Sequence, residues 1–73
     1  MEHQVVVNGQ PTTVKGRRPP KIIHRALEAT GNLREGMEHL WELRDSSGVV
    51  LGADERLPFS TQLYLSQKAG VGG

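Results

Sequence analysis

The chain contains no cysteine in its 73 residues, so neither disulfides nor thiolate metal sites can reinforce the fold. Aromatics are almost as scarce: one Trp, one Tyr and one Phe, too few for the stacking platforms that single-strand nucleic-acid binders use. An excess of one charge is also missing. Nine Lys and Arg against eight Asp and Glu leave a net charge of +1, too near neutral for nucleic-acid binding by bulk electrostatics. No run approaches the ~18 apolar residues of a membrane span, and Met1-Glu2-His3-Gln4 has neither the basic nor the apolar region of a signal peptide. These absences lead us to expect a soluble, cytoplasmic protein with no nucleic-acid or membrane partner. At this size one small domain is expected, and its apolar residues must be well patterned if it folds alone.

The patterning begins at once. Val5-Val6-Val7 is β-branched and runs directly into Asn8-Gly9, the strongest short signal for a hairpin turn. Thr12-Thr13-Val14-Lys15 reads as the returning strand. With a two-residue turn at Asn8-Gly9, Val5 and Val7 share a face with Thr12 and Val14, while Val6 and Thr13 point the other way. Pro11, so close to the turn, leaves that register open.

Gly16 to Pro20 reads as a loop ending in Pro19-Pro20, residues suited to the first turn of a helix. Ile22, Ile23, Ala26, Leu27, Ala29 and Thr30 then make one face of 21–30 apolar. Lys21, His24, Arg25 and Glu28 fall mostly on the other face, and Gly31 is placed to stop the helix. A helix with one apolar face needs a sheet to lie against. Leu33, Met37 and Leu40 are spaced for a short helical turn or an irregular crossover. Trp41 and Leu43 alternate with Glu42 and Arg44, as in a strand. Asp45-Ser46-Ser47-Gly48 is turn chemistry, and Val49-Val50-Leu51 reads as a short strand. Residues 52–58 read as a loop with Leu57 and Phe59 as anchors. In the last strand, 62–66, Leu63 and Leu65 point inward and Tyr64 outward.

Hairpin, helix, strand, short strand and final strand predict an α+β fold of the β-grasp type. One helix crosses a mixed sheet of four or five strands, and the last strand is central. In that arrangement Val6, Tyr64 and Arg44 sit side by side on the open face. Tyr and Arg are enriched at interfaces, so these three are the candidate partner-binding surface. The domain is expected over 1–66, followed by a diglycine tail over 67–73.

The tail is the most distinctive stretch. Two consecutive terminal glycines have chance odds of about 0.5 %, from a glycine frequency of roughly 7 %. Gly70, Gly72 and Gly73 lack side chains, so the segment Ala69-Gly70-Val71-Gly72-Gly73 can thread a channel closed to bulkier residues. Gly73 presents a sterically open carboxylate. Seven residues reach about 23–25 Å at ~3.3–3.6 Å per residue.

Val5-Val6-Val7-Asn8-Gly9, Ala26-Leu27-Glu28-Ala29-Thr30-Gly31, Trp41-Glu42-Leu43-Arg44-Asp45 and the ending from Leu63 to Gly73 together resemble the bacterial ubiquitin-like family, including its tandem multiubiquitin relatives. The resemblance covers nearly the whole chain. It implies a modifier whose Gly73 is adenylated, passed on as a reactive ester and joined to an amine on a target protein. The implied partners are an activating enzyme, a conjugating enzyme and a JAB-type zinc peptidase, and parts of the family suggest a role in antiphage defence. The modifier itself would be a monomer, would not be an enzyme and would carry no cofactor. Two features depart from ubiquitin: Glu42 and Arg44 where an apolar patch would be, and three lysines only, Lys15, Lys21 and Lys68. A sulfur carrier with a thiocarboxylate at Gly73 and a non-conjugated interaction domain are the alternatives.

Other candidate sites are weaker. Lys15, Arg17, Arg18 and Lys21 form one basic cluster, read as a solvated loop. His3, His24 and His39 lack metal-ligand spacing, and His24 is expected to pair with Glu28 one helical turn on. Ser46 and Ser47 have no evident base, and no glycine loop is placed to cradle phosphate. Trp41 is expected to anchor the core.

Overall fold

A computed structural model describes residues 1–57 and 59–68. The described residues form β1 (Glu2–Val7), β2 (Gln10–Lys15), α1 (Pro19–Ala29), a 3-10 turn (Glu38–Leu40), β3 (Trp41–Asp45) and β4 (Gln62–Gln67). The strands lie in one mixed sheet, ordered β2-β1-β4-β3. β1 runs antiparallel to β2 and parallel to β4, and β3 runs antiparallel to β4. With α1 packed on one face, the arrangement is β-grasp-like and α+β, with the last strand central.

The hairpin closes as the sequence implies. Val7 pairs with Gln10 across a two-residue turn, in which Asn8 (φ 51°) and Gly9 (φ 81°) both take the left-handed conformation. That geometry matches the natural twist of the strands, and it favours Asn-Gly over residues that resist positive φ. The same register explains Pro11. Opposed residues alternate between pairs that exchange hydrogen bonds and pairs that do not. With Val7–Gln10 closing the turn, Pro11 aims its missing N–H away from β1, over the outer edge of the sheet.

Pro19 and Pro20 occupy the first turn of α1, where a missing N–H costs nothing. At its other end the helix closes with paired bonds: the Gly31 N–H donates to Glu28 O (3.2 Å) and the Asn32 N–H to Leu27 O (2.8 Å). The inward face of α1 presents Ile22, Ala26 and Leu27. These pack against Val5, Val7 and Val14 from the hairpin and Trp41, Leu43, Leu63 and Leu65 from the other strands. Leu33, Leu40 and Leu51 cover the margins of this core.

Three local expectations change. Val49-Val50-Leu51 is not a fifth strand; it touches β3 through a single bridge, Arg44–Val50, flanked by Leu51 N–H to Leu43 O (2.8 Å) and Asp45 N–H to Val49 O (3.0 Å). Asp45 explains the early end, since its Oδ1 accepts the N–H of both Ser47 and Val49 and bends the chain into a tight turn. Leu57 is buried as an anchor, but Phe59 is 66 % exposed and anchors nothing. The final strand extends one residue beyond Ser66 to Gln67, and the Lys68 N–H donates to Leu40 O at 2.8 Å.

Among the described residues, no helix is long and apolar enough to cross a membrane.

Candidate interaction face

Strand alternation sends His3, Val5, Val7, Leu63, Leu65, Trp41 and Leu43 into the core. The residues between them face away from α1. Val6 pairs with Pro11 on one side and Tyr64 on the other, and Tyr64 pairs with Arg44. The candidate trio Val6, Tyr64 and Arg44 thus forms one row across three neighbouring strands. Directly opposed side chains lie close enough to touch, so the row is a contiguous surface. Pro11 extends it at one end, and the Arg44–Val50 bridge continues it at the other.

Arg44 is held in place. Its Nη2 bonds Glu42 Oε1 at 3.0 Å, two residues along the same face, and its Nη1 donates to Gly48 O at 2.9 Å. The ion pair is half-exposed at Arg44 and contributes little stability in water, on the order of 0–1 kcal/mol. Its effect is geometric: it holds the side chain of Arg44, whose cross-strand partner Tyr64 is 43 % exposed. A rigid aromatic next to a fixed cation is suited to a partner surface with an apolar spot and an acceptor.

The candidate conjugation segment, Ala69, Gly70, Val71, Gly72 and Gly73, lies outside the described residues. It follows β4 and Lys68 in the chain.

His24 does not pair with Glu28. Its Nδ1 lies 3.0 Å from Glu38 Oε2, on the 3-10 turn before β3. This imidazole hydrogen bond is the main reason the Glu38 carboxyl is held below its usual range, with help from backbone N–H groups. The pairing could not be seen in sequence because it joins elements fourteen residues apart.

Sequence reasoning passed over two residues. His3 is 1 % exposed, and both its ring nitrogens are engaged, Nε2 with Gly16 O and Nδ1 with the Thr61 N–H. Its parity with Val5 and Val7 was the available signal for an inward side chain. Arg56 joins the basic cluster because the Leu57 N–H donates to Arg17 O at 2.8 Å, folding the 52–57 loop onto the start of α1. No local pattern announces that contact. Among the described residues no group of His, Cys, Asp or Glu is placed to hold a metal ion.

A family model described as Protein of Unknown function (DUF2604) matches residues 1–73. No curated protein matches the chain.

Proposed function

The chain belongs to the DUF2604 family, and we propose that it is a ubiquitin-like protein modifier, activated at the Gly73 carboxylate and joined to target proteins by cognate activating and conjugating enzymes. The observation that carries this reading is the central position of β4 in a β-grasp-like sheet, with Lys68-Ala69-Gly70-Val71-Gly72-Gly73 as the sequence that follows it. β4 is bonded on both sides, to β1 and β3. The segment after Lys68 therefore starts from a rigid point. Five residues reach at most about 16–18 Å at ~3.3–3.6 Å each, so the body docks close to the enzyme while the carboxylate enters its site.

The chemistry requires activation because a carboxylate is a poor electrophile. The Gly73 carboxylate attacks the α-phosphate of ATP, forming an acyl-adenylate and releasing pyrophosphate. A nucleophile of the enzyme displaces AMP to give a reactive ester, and the target amine then displaces that nucleophile to form an amide. This chain supplies the acyl group and the docking surface, for which Val6, Arg44 and Tyr64 are the proposed contacts. A JAB-type zinc peptidase would reverse the linkage or expose Gly73.

The test is pyrophosphate release with the cognate activating enzyme, ATP and Mg²⁺. Deleting Gly73 abolishes release, whereas Tyr64→Ala leaves turnover intact and raises the half-saturating modifier concentration by about tenfold, the effect of losing about 1.4 kcal/mol of contact. Full activation of the deletion variant overturns the reading.

A further inference from the structure

A groove lies at the β3 end of the molecule, between the first turns of α1 and the 49–57 segment. It has two chemically distinct halves. One is a depression of about 490 Å³ whose apolar lining includes Ile23, Trp41, Val50 and Leu51. The other, about 660 Å³, is lined by Arg17, Arg18, Lys21 and Arg56. Pro20, Glu38 and Ala53 line both halves, so the two depressions are continuous.

The groove is built by long-range bonds. Leu51 N–H to Leu43 O pins one end of the segment, and Leu57 N–H to Arg17 O pins the other. Between them the Gly52 N–H donates to Glu55 Oε2 at 2.7 Å, and the Glu55 N–H donates to Gly52 O. A wall fixed in this way loses little conformational freedom when a ligand docks. The basic half has few internal partners. α1 has no acidic residue in its first turn and no side-chain cap, so the helix dipole adds to the positive field of the three arginines and Lys21. Glu38, the carboxylate lining this half, is already bonded to His24.

We infer that this groove is a docking site for a short acidic–apolar polypeptide segment of a partner protein. Apolar side chains would fill the Ile23–Trp41–Leu51 half, and neighbouring carboxylates would meet Arg17, Arg18, Lys21 and Arg56. Charge complementarity selects the occupant. Guanidinium groups match carboxylates in paired hydrogen bonds, and the adjoining apolar half asks for aliphatic side chains that nucleic acid lacks. The site is separate from the proposed conjugation chemistry and needs neither Gly73 nor the Val6 and Tyr64 side chains.

The test uses the full chain, labelled with ¹⁵N, and a synthetic peptide of leucines followed by glutamates, blocked at both ends. Amide shifts are expected at Lys21, Ile23, Leu51 and Arg56. Replacing the peptide's glutamates with glutamines weakens binding at least about tenfold, and raising salt from about 0.05 to 0.5 M weakens it severalfold. The double variant Arg17→Glu, Arg56→Glu loses binding by a similar factor; the Leu57–Arg17 bond is made by backbone atoms and does not depend on the side chain. Equal binding of the glutamine peptide overturns the proposal even if that variant does not fold. Shifts confined to Val6 and Tyr64 overturn it, as does inorganic polyphosphate competing at lower concentration than the peptide. Deleting Gly72 and Gly73 leaves peptide binding unchanged, so this proposal and the modifier reading fail separately.

Discussion

The His3 ring donates from Nε2 to the Gly16 carbonyl oxygen at 2.8 Å, while its Nδ1 accepts the Thr61 N–H at 3.3 Å. A backbone N–H can only donate, so Nδ1 carries the lone pair and the proton sits on Nε2. One buried side chain on β1 thereby ties the loop before α1 to the chain entering β4.

Replacing His3 with Leu keeps an apolar side chain of similar size but leaves the Gly16 carbonyl and the Thr61 N–H without that partner. Stranded buried polar groups cost about 1–3 kcal/mol. Urea unfolding of His3→Leu is expected to show a loss of that size, with the midpoint lowered and the slope unchanged. A loss under about 0.5 kcal/mol, the scale of ordinary surface changes, refutes a structural role for the two bonds.

Gly16 carries a second constraint. Its φ is +154°, and a Cβ there would lie 3.1 Å from Ile22 Cγ1. Ile22 is fully buried, so it has little room to give. Gly16→Ala is expected to destabilise by about 1–3 kcal/mol through strain and overpacking. In a double-mutant cycle with Ile22→Ala, which removes Cγ1 itself, the two losses should be less than additive, since they share one contact. Strict additivity in the double variant contradicts the steric account.

The acid limb of the stability profile has a named contributor. Glu38 titrates below its ordinary range in the folded protein, chiefly because of the His24 hydrogen bond. The unfolded chain then binds more protons than the folded one just below that range, so stability rises with pH there. The contribution is complete above the unfolded value and disappears as pH falls through the folded one. Glu38→Gln removes this part of the slope at and below the ordinary carboxylate range, measured by thermal unfolding at each pH. An unchanged acid slope shows that the pair does not persist in solution.

Much of the fold was legible because its elements are set by short-range rules. Asn8-Gly9 dictates a two-residue turn, and that turn decides which valines face inward. Pro19-Pro20 and Gly31 mark where α1 can begin and end, and the Trp41–Leu43 alternation announces β3. The open-face row of Val6, Tyr64 and Arg44 followed from period-two alternation plus strand order. Where local signals were weak, the reading missed. Val49-Val50-Leu51 has β-branched residues suited to a strand, but Asp45 takes two N–H groups and curtails the pairing. Phe59 has the composition of an anchor and an exposed position.

By itself the sequence determined the hairpin, the helix, the alternation of the strands and the glycine-rich stretch ending at Gly73, since these depend on neighbours a few residues apart. The tertiary structure alone decided that His24 meets Glu38, that His3 bonds Gly16 and Thr61, and that Arg56 comes to Arg17. Each of these contacts spans a chain reversal, closed by core burial and a few backbone bonds. No local periodicity records which distant residues that closure brings together.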